Sequence, residues 1–419
     1  MTSRRVVLAG RGIVSPLGVG VGPHWNGLLS GRSAIGPVPR LASLGLAASL
    51  GGEVAPELLA PHLGRLPRKQ QKLYNRATLL AMLGGALAME DARLGPGAGD
   101  PERLGVVLGV NVLSWDLESM ARYLAAAESP ETAGSLDMAA ANSFCMRHIN
   151  PLDYSLKTLP NLAAGHLAIA HDARGACRVL LDGPVGGAQA IGQAARMIAE
   201  GDLDVALCGG TDASLEGLVF ASYCGFGLLA ADAGDQPGFV AGEGSGLVVL
   251  EEAERAHERG AAVHGEVQGF AAAAGDGHLT PTADAAALSR RLARVIERAM
   301  EEAGGIPDLV ALHADGAPAH DEAEELALAR ALGSQADGLP RLRFKRAHGD
   351  LGAASSAVEF LACSLALEYG MLPAGIVAGG RAPSGPPGRA LVLSLGLFGE
   401  CAALMLGKSP VPAEAARAG

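Results

Sequence analysis

The stretch from Arg178 to Gly210, RVLLDGPVGGAQAIGQAARMIAEGDLDVALCGG, constrains the fold more than any other part of the chain. Its apolar β-formers bounded by glycine predict a buried strand over Val179–Leu181 and a second over Val205–Cys208. Between them lie a tight turn, Asp182–Gly187, and an Ala-rich segment whose apolar residues three and four apart predict a helix over Ala188–Glu200. α/β enzymes place nucleophiles on such turns because helix N–H groups and the helix dipole stabilise developing negative charge. Here the tip of the turn is Pro184, which has neither a nucleophilic side chain nor an N–H. The scaffold of a reactive elbow is present and its reactive group is missing.

The rest of the chain alternates in the same way. Strands are expected at Arg5–Ala9, Leu104–Val110, Leu247–Leu250 and Glu266–Phe270, with a long helix over Lys72–Leu94 and another starting at Pro160–His166, where Gly165 would permit close packing and His166 would be a hydrogen-bonded structural residue. A second run follows: helix 285–303, strand 309–312, helix 322–332, strand 341–344, helix 353–367, and strands 390–395 and 402–406. Strands alternating with helices imply a layered α/β architecture with largely parallel pairing. The second half, 256–408, repeats the first, 1–255, in outline, and the Pro- and Ala-rich tail 409–419 is expected to be disordered.

Composition excludes several roles. A net charge of -11 argues against nucleic acid as a partner, and against docking an acidic partner except through a locally basic patch or another subunit. The 6 cysteines show no paired metal spacing, and no metal or cofactor is expected. With no signal-like apolar region after Arg4 and Arg5 and no apolar span long enough to cross a bilayer, a cytoplasmic protein without membrane contact is the expectation.

DGPVGGAQAIG resembles the nucleophile elbow of β-ketoacyl synthases, TACATGxQAIG, with Pro184 at the position of the catalytic cysteine. The likeness extends through VVLAGRGIVSPLG (Val6–Gly18), LPNLAAGH (Leu159–His166), GFVAGEGSGLVVLEE (Gly238–Glu252) and GLFGECAALML (Gly396–Leu406). It implies the thiolase-like fold, a five-layered αβαβα unit of two pseudo-repeated halves with the site where they meet. In such synthases a cysteine accepts the acyl chain, while two histidines and a lysine support malonyl decarboxylation and condensation. The first histidine lies in a motif like NAHGTGTPLND; ALHADGAPAHD retains His313, Gly316, Pro318 and Asp321 but carries Asp315 and Ala317 for threonines. The motif KxxTGHxxGAAGxxE becomes KRAHGDLGAASSAVE, which keeps Lys345, Gly349 and Glu359 and puts Asp350 at the second histidine. An ionised carboxylate cannot donate a hydrogen bond to an enolate. His348 is one position away, too far in direction for a simple swap. Leu397 and Phe398 occupy the region of the family's gate, and Gly242, Gly244 and Gly246 are expected to let the backbone pass close to the cavity. The remaining thiols, Cys177, Cys208, Cys363 and Cys401, read as inert packed residues.

Loss of the nucleophile in an otherwise complete synthase is the pattern of chain length factors, the silent β subunits of type II polyketide synthases. These typically carry glutamine where this chain has Pro184. By that resemblance the chain would pair with an active ketosynthase, which supplies the catalytic residues and most of the acyl-carrier-protein docking surface, and would shape the tunnel limiting polyketide or polyene length. The segment from Asn111 to Ala126 would then lie at the dimer interface, with Val112 and Trp115 projecting into the partner's tunnel and Trp115 as its stop; packing in this chain's own core is the alternative. Two other roles are open: an acyl-thioester enzyme using His313 without covalent capture, and a homodimeric acyl-binding scaffold.

Overall fold

One strand order occurs twice along this chain. The structure, a computed structural model, describes residues 4–95, 99–111, 117–132, 134–150, 157–230, 237–275, 284–380 and 385–408; Val112, Trp115 and the tail 409–419 lie outside them. In the first half the strands are β1 (Val6–Ser15), β2 (Leu104–Val110), β3 (Cys177–Leu180), β4 (Val205–Ala213) and β5 (Glu243–Glu252), in the spatial order β3-β2-β4-β5-β1. In the second half β6 (Glu266–Ala273), β7 (Leu309–Ala311), β8 (Arg341–Leu342), β9 (Arg389–Leu395) and β10 (Cys401–Gly407) follow the order β8-β7-β9-β10-β6. In both halves the third strand pairs parallel with the second and the second parallel with the fourth, while the fifth runs antiparallel to the fourth and the first. The halves join where Val7 of β1 lies opposite Glu266 of β6.

Six of the helices complete the layers. α1 (Arg76–Asp91) and α2 (Asn161–Ala170) cover the outside of the first half-sheet, and α4 (Ala285–Ala303) covers the second, with α5 (Pro318–Leu332) against it. α3 (Gly186–Glu200) and α6 (Ser355–Tyr369) lie between the half-sheets and touch each other and both sheets. The layers therefore run α, β, α, β, α from one face to the other, the five-layered arrangement expected. Burial follows the layers: Ser355 to Leu367 of α6 are all buried, as a helix enclosed on every side requires. One apolar cluster, including Ile191, Ile198, Phe270 and Phe360, fills the middle, and two others, around Leu83 with Leu247 and around Leu292 with Met405, lie under the outer helices.

Several local expectations change. The run Val179–Leu181 lies at the end of an edge strand: β3 pairs only with β2 among the described residues, Cys177 and Arg178 are exposed, and Leu181, just past the strand, is 52% exposed. β1 runs on through GRGIVS to Ser15 because Gly10 and Gly12 pack against α1; a Cβ at Gly12 would sit 1.9 Å from the Gly84 carbonyl oxygen. α1 starts at Arg76, capped by Asn75, whose side chain accepts from Thr78 N–H at 2.8 Å. A Cβ added at Gly165 would meet open space among the described residues, so this glycine is not a close-packing site, and His166 stacks edge-on with Tyr74 while its Nε2 finds no hydrogen-bond partner. No helix among the described residues is long and apolar enough to cross a membrane.

A charge cluster ties the layers together behind the sheet. The Arg11 guanidinium lies 2.6 Å from Glu368 Oε2, and its backbone N–H donates to Asp91 Oδ2 at 2.9 Å. His264 sits between the same acids, Nε2 3.4 Å from Asp91 and Nδ1 3.7 Å from Glu368. Burial works to lower the His264 pKa, but Asp91 and Glu368 outweigh it and hold it above its ordinary value. His264 and then Arg11 pull Glu368 down to about 2 against burial. The His264 contribution is complete below about pH 6.5 and is lost as pH rises through its raised folded value; the Glu368 contribution is present above about pH 4.5 and is lost as pH falls toward 2. His264→Gln is therefore expected to lower stability by about 1 kcal/mol at pH 6, the upper range for a partly exposed ion pair, and by much less at pH 9. Urea unfolding at the two pH values checks this; an equal loss at both would contradict the linkage.

Candidate functional site

β3 leads into a single 3₁₀ turn, Gly183–Val185, and then directly into α3. Gly183 has φ 51°, a left-handed conformation that favours glycine. The Pro184 carbonyl is held from the opposite half: it accepts from Ser394 Oγ of β9 at 2.9 Å and from Ser356 Oγ of α6 at 3.3 Å. Helix α6 comes this close because glycines face its first residues. A Cβ at Gly210 would lie 1.9 Å, and one at Gly187 2.5 Å, from the Ala353 carbonyl oxygen. Gly242, Gly244 and Gly246 serve close packing too: a Cβ at Gly246 would meet Val358 N at 2.6 Å, and none of the three lines the cavities beside Pro184.

The folded chain brings Pro184, His313, Lys345 and Asp350 to one place. Pro184, His313 and Asp350 line a cavity of about 10 Å³, and Lys345 stands behind His313. His313 follows β7, and Ala314 after it has φ 39°, an uncommon left-handed position for a residue with a side chain. Glu324 of α5 fixes that bend, accepting from His313 N–H at 2.6 Å and Ala314 N–H at 2.9 Å; its own complete burial pushes its pKa up to about 8. The imidazole is held at both nitrogens. Lys345 Nζ lies 3.2 Å from Nδ1, while Nε2 faces Asp315 Oδ2 at 3.4 Å and Asp350 Oδ2 at 3.9 Å. Burial and then Lys345 lower the His313 pKa, so the ring is neutral near pH 7. Lys345 pairs with Glu359 at 2.9 Å; burial opposes its charge, but Glu359 and then Asp350 hold its pKa above the ordinary value.

Three neighbours of this group are not evident from the sequence pattern. Asp315, which reads there only as a missing threonine, bridges His313 and His320, with its Oδ2 2.8 Å from His320 Nδ1, and the two histidines hold its pKa well below the usual range despite burial. His320 reaches it because α5 begins at Pro318 rather than Glu322; Pro at a first helical position was the available signal. Asp212, at the end of β4, accepts from Ala353 N–H and Ser214 Oγ, both at 2.9 Å, and burial raises its pKa to about 6. His348 is no substitute for the second histidine: it is buried near His24, its Nδ1 2.8 Å from the Gly349 carbonyl, and does not line the cavity.

Pro184, Tyr223 and Leu397 also border a much larger outer cavity of about 760 Å³, walled largely by Leu181, Phe226, Leu228, Ala272–Ala274 and Phe398. Beside Leu397 the Phe398 amide donates to Glu400 Oε2 at 3.1 Å, so this N–H is already engaged. The outer cavity can hold an apolar chain; the inner one has room for about a single water. Cys208, Cys363 and Cys401 are buried, burial pushing their thiols up, and Cys177 is on the exposed edge strand, so no described cysteine stands at the elbow. Gly210→Ala is expected to cost about 1–3 kcal/mol by forcing α6 off β4, whereas Gly165→Ala changes stability by less than about 1 kcal/mol. Urea midpoints of the two variants compare them directly; an equal effect would show that the Ala353 contact is not limiting.

Two family models match the chain: the β-ketoacyl synthase N-terminal domain over residues 3–256 and the C-terminal domain over residues 264–377. A putative polyketide β-ketoacyl synthase 2 of Streptomyces coelicolor is 31% identical over 436 residues, covering 98% of this chain and 97% of the relative. The tetracenomycin polyketide synthase ketoacyl synthase alpha subunit of Streptomyces glaucescens is 30% identical over 388 residues, covering 88% and 86%. Among solved structures, the ishigamide ketosynthase/chain length factor superposes with a TM-score of 0.79 at 27% identity, covering 97% of this chain and 100% of that chain. Matched along both halves by sequence and by fold, the chain belongs to the β-ketoacyl synthase family.

Proposed function

We propose that this chain is a non-condensing chain length factor, which pairs with an active β-ketoacyl synthase and shapes the acyl tunnel of a type II polyketide or polyene pathway. One observation carries this reading: beside Pro184, the Nε2 of His313 is turned into the carboxylates of Asp315 and Asp350. Condensation needs a nucleophile at the elbow and neutral donors aimed at a thioester oxygen. Proline supplies no nucleophile, and two carboxylates compete for the one histidine donor that survives. The same observation disfavours an enzyme that uses His313 without covalent capture.

The need for a partner rests on the surface. β3 leaves one edge unpaired among the described residues, and around it stand Ile169 at 76% exposed, Phe226 at 66% and Leu181 at 52%. An open strand edge beside exposed apolar side chains favours association. A ketosynthase partner is preferred to a second copy of this chain because only the former restores a catalytic centre to the pair. That partner would also supply most of the carrier-protein docking surface, and Trp115 and Val112 would reach toward its tunnel.

Co-expression with an intact ketosynthase from the same gene neighbourhood, followed by light-scattering mass and an acyl-extension assay, tests the proposal. The expected result is a one-to-one heterodimer active only with both chains present, with Ile169→Asp abolishing co-purification. A His313→Asn chain that still folds and pairs should leave the heterodimer's extension rate within about twofold, because the partner's centre does the chemistry. A lone chain that forms homodimers and turns over an acyl thioester by itself would refute the proposal.

A further inference from the structure

We propose that His313, Asp315, His320 and Asp350 form a binding site for one divalent cation of the zinc class. Ligand atoms of the first three lie within 4.8 Å of one another, and all three residues are buried. His320 Nδ1 to Asp315 Oδ2 is 2.8 Å, a direct hydrogen bond until an ion comes between them; His313 Nε2 to Asp315 Oδ2 is 3.4 Å; and Asp350, outside that group of three, has its Oδ2 3.9 Å from His313 Nε2, close enough to turn in as a fourth ligand. A tetrahedral ion with bonds near 2.1 Å separates its ligand atoms by about 3.4 Å, within this range.

Asp350 faces the same space from the opposite side of His313 Nε2. It is 5% exposed, its Oδ2 lies 3.9 Å from His313 Nε2, and it lines the same cavity of about 10 Å³ as His313 and Asp315. That volume suits one water or one ion. Each carboxylate is oriented by its other oxygen. Asp315 Oδ1 accepts from Ala317 N–H at 2.9 Å, and Asp350 Oδ1 accepts from Gly352 N–H at 2.7 Å and Ser355 Oγ at 3.0 Å. Both Oδ2 atoms are thereby left pointing toward the histidines, the way outer hydrogen bonds orient metal ligands.

Charge and ligand type narrow the ion. Two carboxylates offset a divalent charge, and two imidazoles favour zinc, cobalt or nickel over magnesium or calcium. Lys345, 3.2 Å from His313 Nδ1, opposes the ion, but Glu359 at 2.9 Å offsets its charge. Without an ion the Lys345 ammonium donates to Nδ1, so Nε2 carries the ring proton; an ion at Nε2 shifts that proton to Nδ1 and leaves Lys345 to Glu359. The ion joins the loop after β7, the first turn of α5 and the residues ahead of α6, and leaves no room for substrate beside it. It is accordingly a clamp on the converted centre, whichever partner the chain has.

The test uses the full-length chain, dialysed against a chelator and titrated with Zn²⁺ alone by calorimetry, and with Co²⁺ by visible absorption. One equivalent per chain is expected, with a thermal midpoint that rises on zinc addition. His320→Gln and Asp350→Asn should each weaken binding by roughly tenfold or more and abolish the rise. Absence of stoichiometric binding, or binding that neither variant weakens, overturns the site. Should either variant fail to fold, the Co²⁺ spectrum of the unaltered protein decides: intense tetrahedral bands support the four ligands, and weak octahedral bands refute them.

Discussion

The separation of the two half-sheets is set by the contact of the Ala353 carbonyl with Gly187 and Gly210. It brings the start of α6 against both α3 and β4, and so brings the second half of the chain onto the elbow of the first. Every feature of the site inherits its position from this contact. Ser356 can hold the Pro184 carbonyl, Asp212 can accept from Ala353 N–H, and Lys345 can reach Glu359 only while α6 stays in that place. A layered fold of this kind tolerates loss of the reactive side chain far more readily than loss of a glycine beneath it. The elbow turn itself accommodates proline, whose fixed φ suits the position before a helix and whose missing N–H breaks no helical bond there.

Why a centre without a cysteine at its elbow keeps its charges follows from the cost of burial. Lys345, Glu359, Asp315, Asp350, Glu324 and His313 are all nearly inaccessible, and each is held by another member or by backbone N–H groups. Removing one partner strands another, at a cost of about 3–5 kcal/mol for a buried ion pair. The network therefore persists for electrostatic reasons once it exists, whether or not it does chemistry. The survival of His313 and Lys345 is for that reason poor support for catalysis; the direction in which the imidazole points is better support, and it points to carboxylates.

The layered α/β class and the repeated strand–helix order were legible in the strand and helix periods, while the convergence of Pro184, His313, Lys345 and Asp350 followed from the motifs that resemble those of ketosynthases. The partners of those residues were not. Asp315 reads in the sequence as a changed threonine, and its role depends on α5 starting at Pro318, which turns His320 inward. The apolar run Val179–Leu181 could not be told from a buried strand by its pattern, since an apolar edge strand and a strand inside a sheet have the same composition. Glycine roles were legible as closeness but not as place: Gly165 was expected to pack and meets nothing among the described residues, while Gly210 drew no notice and controls the seam. Val112 and Trp115 fall outside the described residues, so their roles rest on the sequence argument alone.

The wall made by Pro184, Tyr223 and Leu397 separates two environments that an active synthase must connect. Outside it is a roomy, largely apolar cavity; inside it is a small polar one packed with carboxylates and imidazoles. An apolar chain lodged in the outer cavity meets the proline ring and the Leu397 side chain rather than a nucleophile, and is not drawn inward, because entering the inner space would displace charges from their partners without replacing their hydrogen bonds. Tyr223 strengthens the partition: its hydroxyl accepts from Asn111 at 2.9 Å, and desolvation raises its pKa, so it stays a neutral hydrogen-bonding group. The same substitution that removes the nucleophile thus helps close the wall. On the proposed reading, binding an acyl chain and reacting with it are separated here by a few side chains.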